Sequence, residues 1–273
     1  MEKLILIVLD GLNAQTAFRH MGYLESLAEA GLCATYRVIS ELPAMSRPLY
    51  ETIQTGLAPR EHGITNNGIP KRSGEENIFS IVRQAGGVTA ACAYSWVSEL
   101  YHHTPFRPSE DRFFADGEGE IALGSFYWND KYPDDHLFAD AHYFIKTYAP
   151  EYLLLHPMNV DDAGHAYGSD AAEYAFAAAN VDVALSDYLP LWREAGYQVV
   201  VTADHGMNPL RFHNGASDAE RIVPLYIFSE KILPGDFRDQ QRSQREVAPL
   251  CLYLLGLSPS KKMIPMGFAR RSM

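Results

Sequence analysis

Three apolar runs in this chain each lead directly into acidic or imidazole side chains. Leu4-Ile5-Leu6-Ile7-Val8-Leu9 runs into Asp10-Gly11, and Tyr152-Leu153-Leu154-Leu155 precedes Asp161-Asp162-Ala163-Gly164-His165. Val199-Val200-Val201 precedes Thr202-Ala203-Asp204-His205-Gly206-Met207, and His213 follows eight residues beyond His205. Runs this short and this apolar suit strands buried on both faces, the kind found in parallel sheets covered by helices. Open α/β sheets build their sites in the crevice outside the carboxyl ends of such strands. The expectation is a sheet whose edge collects carboxylates and imidazoles, the donor set of a two-metal hydrolase.

Helical and strand-like patterns alternate along the rest of the chain. Residues 14–30 keep helical spacing through Phe18, Met21, Leu24, Leu27 and Ala28, and 33–39 are β-like. A helix is expected over 77–85 and a strand over 88–93, broken by Gly86-Gly87. Strands at 152–156 and 198–202 flank an Ala-rich stretch, 171–195, that reads as one or two helices. Another strand at 223–228 and a final helix at 244–255 complete the pattern. Such alternation predicts an α/β fold with a largely parallel central sheet and helices on both faces. One domain over 1–273 is expected, with 105–140 read either as a small loop-rich cap insertion or as an ordinary long surface excursion, because Pro105, Pro108, Pro133 and short acidic clusters break the rhythm there. Aromatics in that stretch (Phe113, Phe114, Phe126, Tyr127 and Trp128) read as the cap's own small core, or as a surface for a nucleobase or apolar leaving group.

The formal net charge of -11 argues against nucleic acid as a partner. Cys33, Cys92 and Cys251 are widely spaced and odd in number, which suits reduced, buried thiols rather than a disulfide frame. The first apolar run is short and interrupted by Asp10, so it reads as a strand and not as a secretory leader. Nothing approaches the roughly 20 apolar residues of a membrane span. A soluble, cytoplasmic protein with no membrane partner is expected, and the sequence leaves its oligomeric state open.

Asp10, Asp161, His165, Asp204, His205 and His213 form a mixed oxygen–nitrogen donor set. Such a set suits Zn, Mn or Fe better than Ca or Mg, which prefer oxygen alone. A hydrolase also needs a nucleophile, and Ser46 follows a strand-like run and opens a helix. A helix N-terminus favours phosphate, although a serine there is often only a cap.

Pro43-x-x-Ser46-x-Pro48, followed by Thr55-Gly56-Leu57-x-Pro59-x-x-His62-Gly63-Ile64, resembles the nucleophile region of the nucleotide pyrophosphatase/phosphodiesterase family, part of the alkaline phosphatase superfamily. Asp10-Gly11, Asp161-x-x-Gly164-His165-x-x-Gly168 and Asp204-His205-Gly206-Met207 fall in that family's order, so the resemblance runs from Asp10 to His213. It implies an alkaline phosphatase-like fold and two divalent ions, with zinc the leading choice and Mn or Fe accepted. Asp161, His165 and His213 would hold one ion; Asp10, Ser46, Asp204 and His205 would hold the other. Ser46 stands where the family usually has threonine, and Leu49 where it commonly has an asparagine that donates to a phosphoryl oxygen. Arg47, Asn67 or a backbone N–H would then contact the substrate phosphate. His62 reads as structural. The implied activity is hydrolysis of phosphodiester or nucleotide pyrophosphate bonds through a phosphoseryl intermediate on Ser46, with a small phosphorylated substrate such as a nucleotide. A phosphomonoesterase, a phosphonate hydrolase, or a catalytically inactive binding protein on the same fold are the alternatives. Sulfate-ester hydrolysis is disfavoured, because the arginine of the sulfatase motif is missing after Pro48.

Overall fold

The most apolar strands pair at the centre of the sheet. In this computed structural model, which describes residues 1–271, β1 (Lys3–Val8) lies between β6 (Tyr152–Leu155) and β7 (Tyr197–Thr202), parallel to both. The last two residues of the expected domain, 272 and 273, lie outside the described residues. The remaining strands are β2 (Ala34–Ile39), β3 (Thr89–Tyr94), β4 (Phe113–Phe114), β5 (Leu123–Tyr127), β8 (Ile222–Phe228) and β9 (Gly235–Ser243). They form one sheet of order β4-β5-β3-β6-β1-β7-β8-β2-β9. From β5 to β7 every neighbour is parallel; β8 runs antiparallel to β7 and β2, and β4 antiparallel to β5. The carboxyl ends of β3, β6, β1 and β7 therefore open on one edge.

Among the described residues, twelve α-helices connect the strands. α1 (Ala14–His20), α2 (Gly22–Glu29), α8 (Asp134–Tyr148), α9 (Asn159–Tyr167) and α10 (Ala172–Glu194) pack as one group. α3 (Ser46–Thr55), α5 (Ile78–Gln84), α6 (Ser95–Tyr101) and α12 (Val247–Leu255) form a second. Short helices α4 (Pro59–His62), α7 (Pro108–Asp111) and α11 (Asp218–Arg221) lie in the connections. The core follows from the strand pattern: Leu4, Ile5, Leu6 and Ile7 of β1 and Val199, Val200 and Val201 of β7 are wholly buried. No described helix is long and apolar enough to cross a membrane. The three cysteines are free and buried.

One expectation differs in detail. The helical pattern over 14–30 divides at Met21, because the buried Asp182 carboxylate accepts from the amides of Tyr23 (2.6 Å) and Leu24 (3.1 Å). That side chain satisfies first-turn N–H groups and so starts a second helix. Within the stretch 105–140 the chain adds β4 and β5 to the sheet and begins α8. β5 continues the parallel ladder on β3, pairing Ala90 with Leu123 and Tyr94 with Tyr127. Its Gly124-Ser125 centre hid the strand, since both residues have low strand propensity. The glycine is required by packing, because a Cβ there would collide with the Phe114 ring.

Candidate active site

The motif residues come from strand ends, from helices α3 and α9, and from the loop after β7. Asp10 lies two residues beyond β1, Asp204 and His205 just beyond β7, and Asp161 and His165 one turn apart on α9. His213 comes from the loop after β7 and Ser46 from the first residue of α3. Met45, not Ser46, is the α3 cap residue, so the serine hydroxyl is not spent on capping. Ser46 Oγ instead lies 3.1 Å from His205 Nε2. Gly11 turns the chain at φ +72°, and a Cβ on it would sit 2.7–2.8 Å from Asp161 atoms. Only glycine allows β1 to deliver Asp10 this close to α9. The Gly11 amide donates to Asp204 Oδ1 at 3.2 Å, tying the ends of β1 and β7 together.

The imidazoles are oriented from outside. Nδ1 of His213 faces the Ala44 carbonyl at 2.8 Å, Nδ1 of His205 the Gly206 carbonyl at 3.0 Å, and Nδ1 of His165 the Arg211 carbonyl at 3.2 Å. A carbonyl only accepts, so each ring carries its proton on Nδ1 and turns an Nε2 lone pair inward. Two such lone pairs, on His165 and His213, face each other at 3.1 Å. Asp10 Oδ1, Asp161 Oδ1 and Asp204 Oδ2 are buried without a hydrogen-bond partner. Acceptors converging on one another with no donor between them fit a cation.

The spacings agree with that reading. Donor atoms about 2.0–2.1 Å from a tetrahedral zinc stand roughly 3.3 Å apart. His165 Nε2 is 3.5 Å and His213 Nε2 3.9 Å from Asp161, while His205 Nε2 is 3.5 Å from Asp10 and 3.2 Å from Asp204. Two compact donor triplets result, Asp161/His205/His213 and Asp10/Asp204/His205. His205 belongs to both triplets rather than to the Asp10 group alone, while His165 lies outside both and adjoins them through His213 at 3.1 Å.

Electrostatics point the same way. Burial, reinforced by the charge on Asp10, pushes the Asp161 and Asp204 carboxyls well above the usual range. Burial and then the neighbouring His213 lower His205 to about 3, and burial lowers His213, so both imidazoles are neutral and ligand-competent. For Asp10, burial works against its charge, yet hydrogen bonds from His156 (2.9 Å) and Tyr50 hold its carboxyl down at about 2.

The residues around Ser46 take clear positions. The Arg47 guanidinium is buried, paired with Glu99 at 2.7 Å and 4.8 Å from the centre of the Trp96 ring, with Nε and Nη1 unpartnered. Asn67 Oδ1 accepts from the Arg47 amide at 3.0 Å, which leaves its Nδ2 as a donor. Pro48 has no N–H and the Leu49 amide bonds Met45, so the Ser46 amide is what α3 retains for an anion. Leu49 is fully buried in the core. His62 bridges Thr52 Oγ1 (3.2 Å) and the Ile64 amide (3.2 Å), away from the donor set, and burial lowers it to about 4. Sequence reasoning missed His156, Tyr50 and Glu99. His156 carried the same signal as the candidate ligands, an imidazole directly beyond an apolar strand; Tyr50 and Glu99 carried none.

The type I phosphodiesterase / nucleotide pyrophosphatase family profile matches residues 4–232. An uncharacterized pyrophosphatase/phosphodiesterase of Schizosaccharomyces pombe is 25% identical over 232 residues, covering 75% of this chain and 44% of its own length. The chain therefore spans less than half of that relative. Among solved structures, an inactive variant of murine ectonucleotide pyrophosphatase/phosphodiesterase 5 in complex with AMP superposes with a TM-score of 0.76 at 13% identity, covering 98% of both chains. A phosphonate monoester hydrolase from Silicibacter pomeroyi gives 0.67 at 15% identity, covering 98% of this chain and 76% of the other. At these identities the structural likeness establishes the alkaline phosphatase-like fold. The profile match spans most of the chain and includes every strand-end motif, so this chain belongs to the type I phosphodiesterase / nucleotide pyrophosphatase family.

Proposed function

We propose that the protein hydrolyses phosphodiester or nucleotide pyrophosphate bonds, with Ser46 as nucleophile and two divalent ions, zinc or else manganese or iron, as cofactors. The observation that carries the reading is the Ser46 hydroxyl, 3.1 Å from His205 Nε2, which itself lies 3.5 Å and 3.2 Å from the unpartnered oxygens of Asp10 and Asp204. Asp161, His165 and His213 would hold one ion, and Asp10, Ser46, Asp204 and His205 the other. Bound there, the ions would acidify the nucleophile and offset charge developing on the phosphoryl oxygens.

The chain's own groups supply the rest. Ser46 Oγ attacks phosphorus, the ester oxygen leaves with its electron pair, and water then cleaves the phosphoseryl bond and restores the hydroxyl. The Ser46 amide and Asn67 Nδ2 would donate to a phosphoryl oxygen, in the role that Leu49 cannot fill. Arg47 Nε and Nη1 are further donors. Because Glu99 already neutralises Arg47, a reacting phosphate with one negative charge is favoured over a dianionic monoester. The complex of the murine relative with AMP supports a nucleotide as substrate.

The test compares turnover of bis-p-nitrophenyl phosphate and p-nitrophenyl phosphate by zinc- or manganese-loaded protein. About tenfold preference for the diester, ~1.4 kcal/mol of transition-state discrimination, is expected. Preference for the monoester moves the chain to the phosphatase branch. No turnover of either with both ions bound refutes the hydrolase reading for these esters.

A further inference from the structure

His156 stands at the end of β6, where its amide donates to the Cys92 carbonyl at 2.9 Å and its ring is buried. Its Nδ1 faces the backbone amide of Tyr94 at 3.4 Å. A backbone N–H only donates, so Nδ1 carries the lone pair and the neutral ring keeps its proton on Nε2. This is the opposite tautomer to His165, His205 and His213. The Nε2–H of His156 therefore donates to Asp10 Oδ2, at 2.9 Å. Tyr50 donates its hydroxyl to the same oxygen, and its ring meets the imidazole edge-on with centroids 4.5 Å apart.

Two donors thus occupy Asp10 Oδ2, while Oδ1 is buried and unpartnered, 3.5 Å from His205 Nε2. We infer that His156 and Tyr50 are positioning residues that restrict Asp10 to a single-oxygen ligand, Oδ1, at the ion site it shares with Ser46, Asp204 and His205. This rests on the metal-site reading above. A carboxylate free to bind through both oxygens would take a coordination position that the nucleophile and a phosphoryl oxygen need, since catalytic sites depend on an open position. Tyr50 lies four residues after Ser46 on α3, so one helix face carries both the nucleophile and a restraint on Asp10.

The experiment measures zinc binding to the full chain by competition with a chromogenic chelator, in wild type, His156→Leu, His156→Gln and Tyr50→Phe. Two ions are expected in wild type. His156→Leu and Tyr50→Phe should each weaken one ion by about 10- to 100-fold and leave the other within about threefold, the scale of outer-sphere partners. His156→Gln, which keeps an N–H donor at the same reach, should recover most of the loss. Site-selective weakening with rescue by glutamine is not what a merely structural role gives, and thermal unfolding of the metal-free proteins checks that the fold is intact. If His156→Leu does not fold, Tyr50→Phe decides the question alone. Two ions bound equally tightly in wild type and variants, or both ions weakened alike, overturns the inference. A wild-type chain that takes up no ion overturns the metal-site reading itself, and this inference with it.

Discussion

Asp204→Asn should remove one ion's contribution to stability. Asp204 is fully buried, its Oδ2 has no partner, and burial together with the charge on Asp10 disfavours its ionised form. Asparagine keeps an Oδ1 for the Gly11 amide while removing that charge, so the metal-free variant should be at least as stable as metal-free wild type. With zinc at about a thousand times its Kd, one bound ion stabilises the wild-type fold by about 4 kcal/mol. For a chain of 273 residues that corresponds to roughly 8 °C in Tm. The variant should lose that increment at the Asp10/Asp204/His205 site and keep the one at Asp161/His205/His213. Differential scanning calorimetry of both proteins, with chelator and with zinc, reads all four values. An equal zinc-induced rise in both proteins would refute the assignment of Asp204 as a ligand. A metal-free variant more than about 2 kcal/mol below wild type would show that the carboxylate is satisfied within the protein, contrary to the geometry.

Ser46→Ala should abolish diester turnover while leaving at least one ion bound, measured by steady-state rates beside elemental analysis; full activity would remove Ser46 as nucleophile. Gly11→Ala meets both a positive φ and Asp161 atoms at 2.7–2.8 Å, so it should cost about 1–3 kcal/mol and lower metal uptake. An unchanged Tm and ion content would show that the turn relaxes freely. Glu51 on α3 accepts from Ser73 Oγ and Tyr101 Oη, each at 2.5 Å, and burial raises its carboxyl from 4.5 to about 7. Its stabilising contribution is complete below 4.5 and lost as pH rises through about 7, a difference of about 3 kcal/mol. Urea unfolding should show Glu51→Gln gaining on wild type by that amount across this window, and a gap independent of pH would reject the assignment.

Reading the chain worked best where local pattern and tertiary role coincide. The runs at β1, β6 and β7 are apolar at every position because both faces are covered, and that composition marks a central parallel strand before any partner is known. The candidate ligands follow because strand ends are where such a sheet opens, so Asp10, Asp204 and His205 are legible as neighbours in space from their place after strands. β5 was illegible for the opposite reason. Its strand character comes from pairing with β3 and packing under Phe114, and Gly124-Ser125 carries no intrinsic preference for it.

The sequence alone determined the α/β alternation, the family and the residues that converge on the sheet edge, because periodicity and motif order are local properties of the chain. Only the tertiary structure decided how those residues divide their lone pairs. The Ala44, Gly206 and Arg211 carbonyls turn three Nε2 atoms toward the candidate donor groups, and the Tyr94 amide turns His156 the other way, onto Asp10. It also decided that Arg47 answers first to Glu99. These are hydrogen bonds between residues distant in sequence, whose direction depends on geometry that no local pattern encodes.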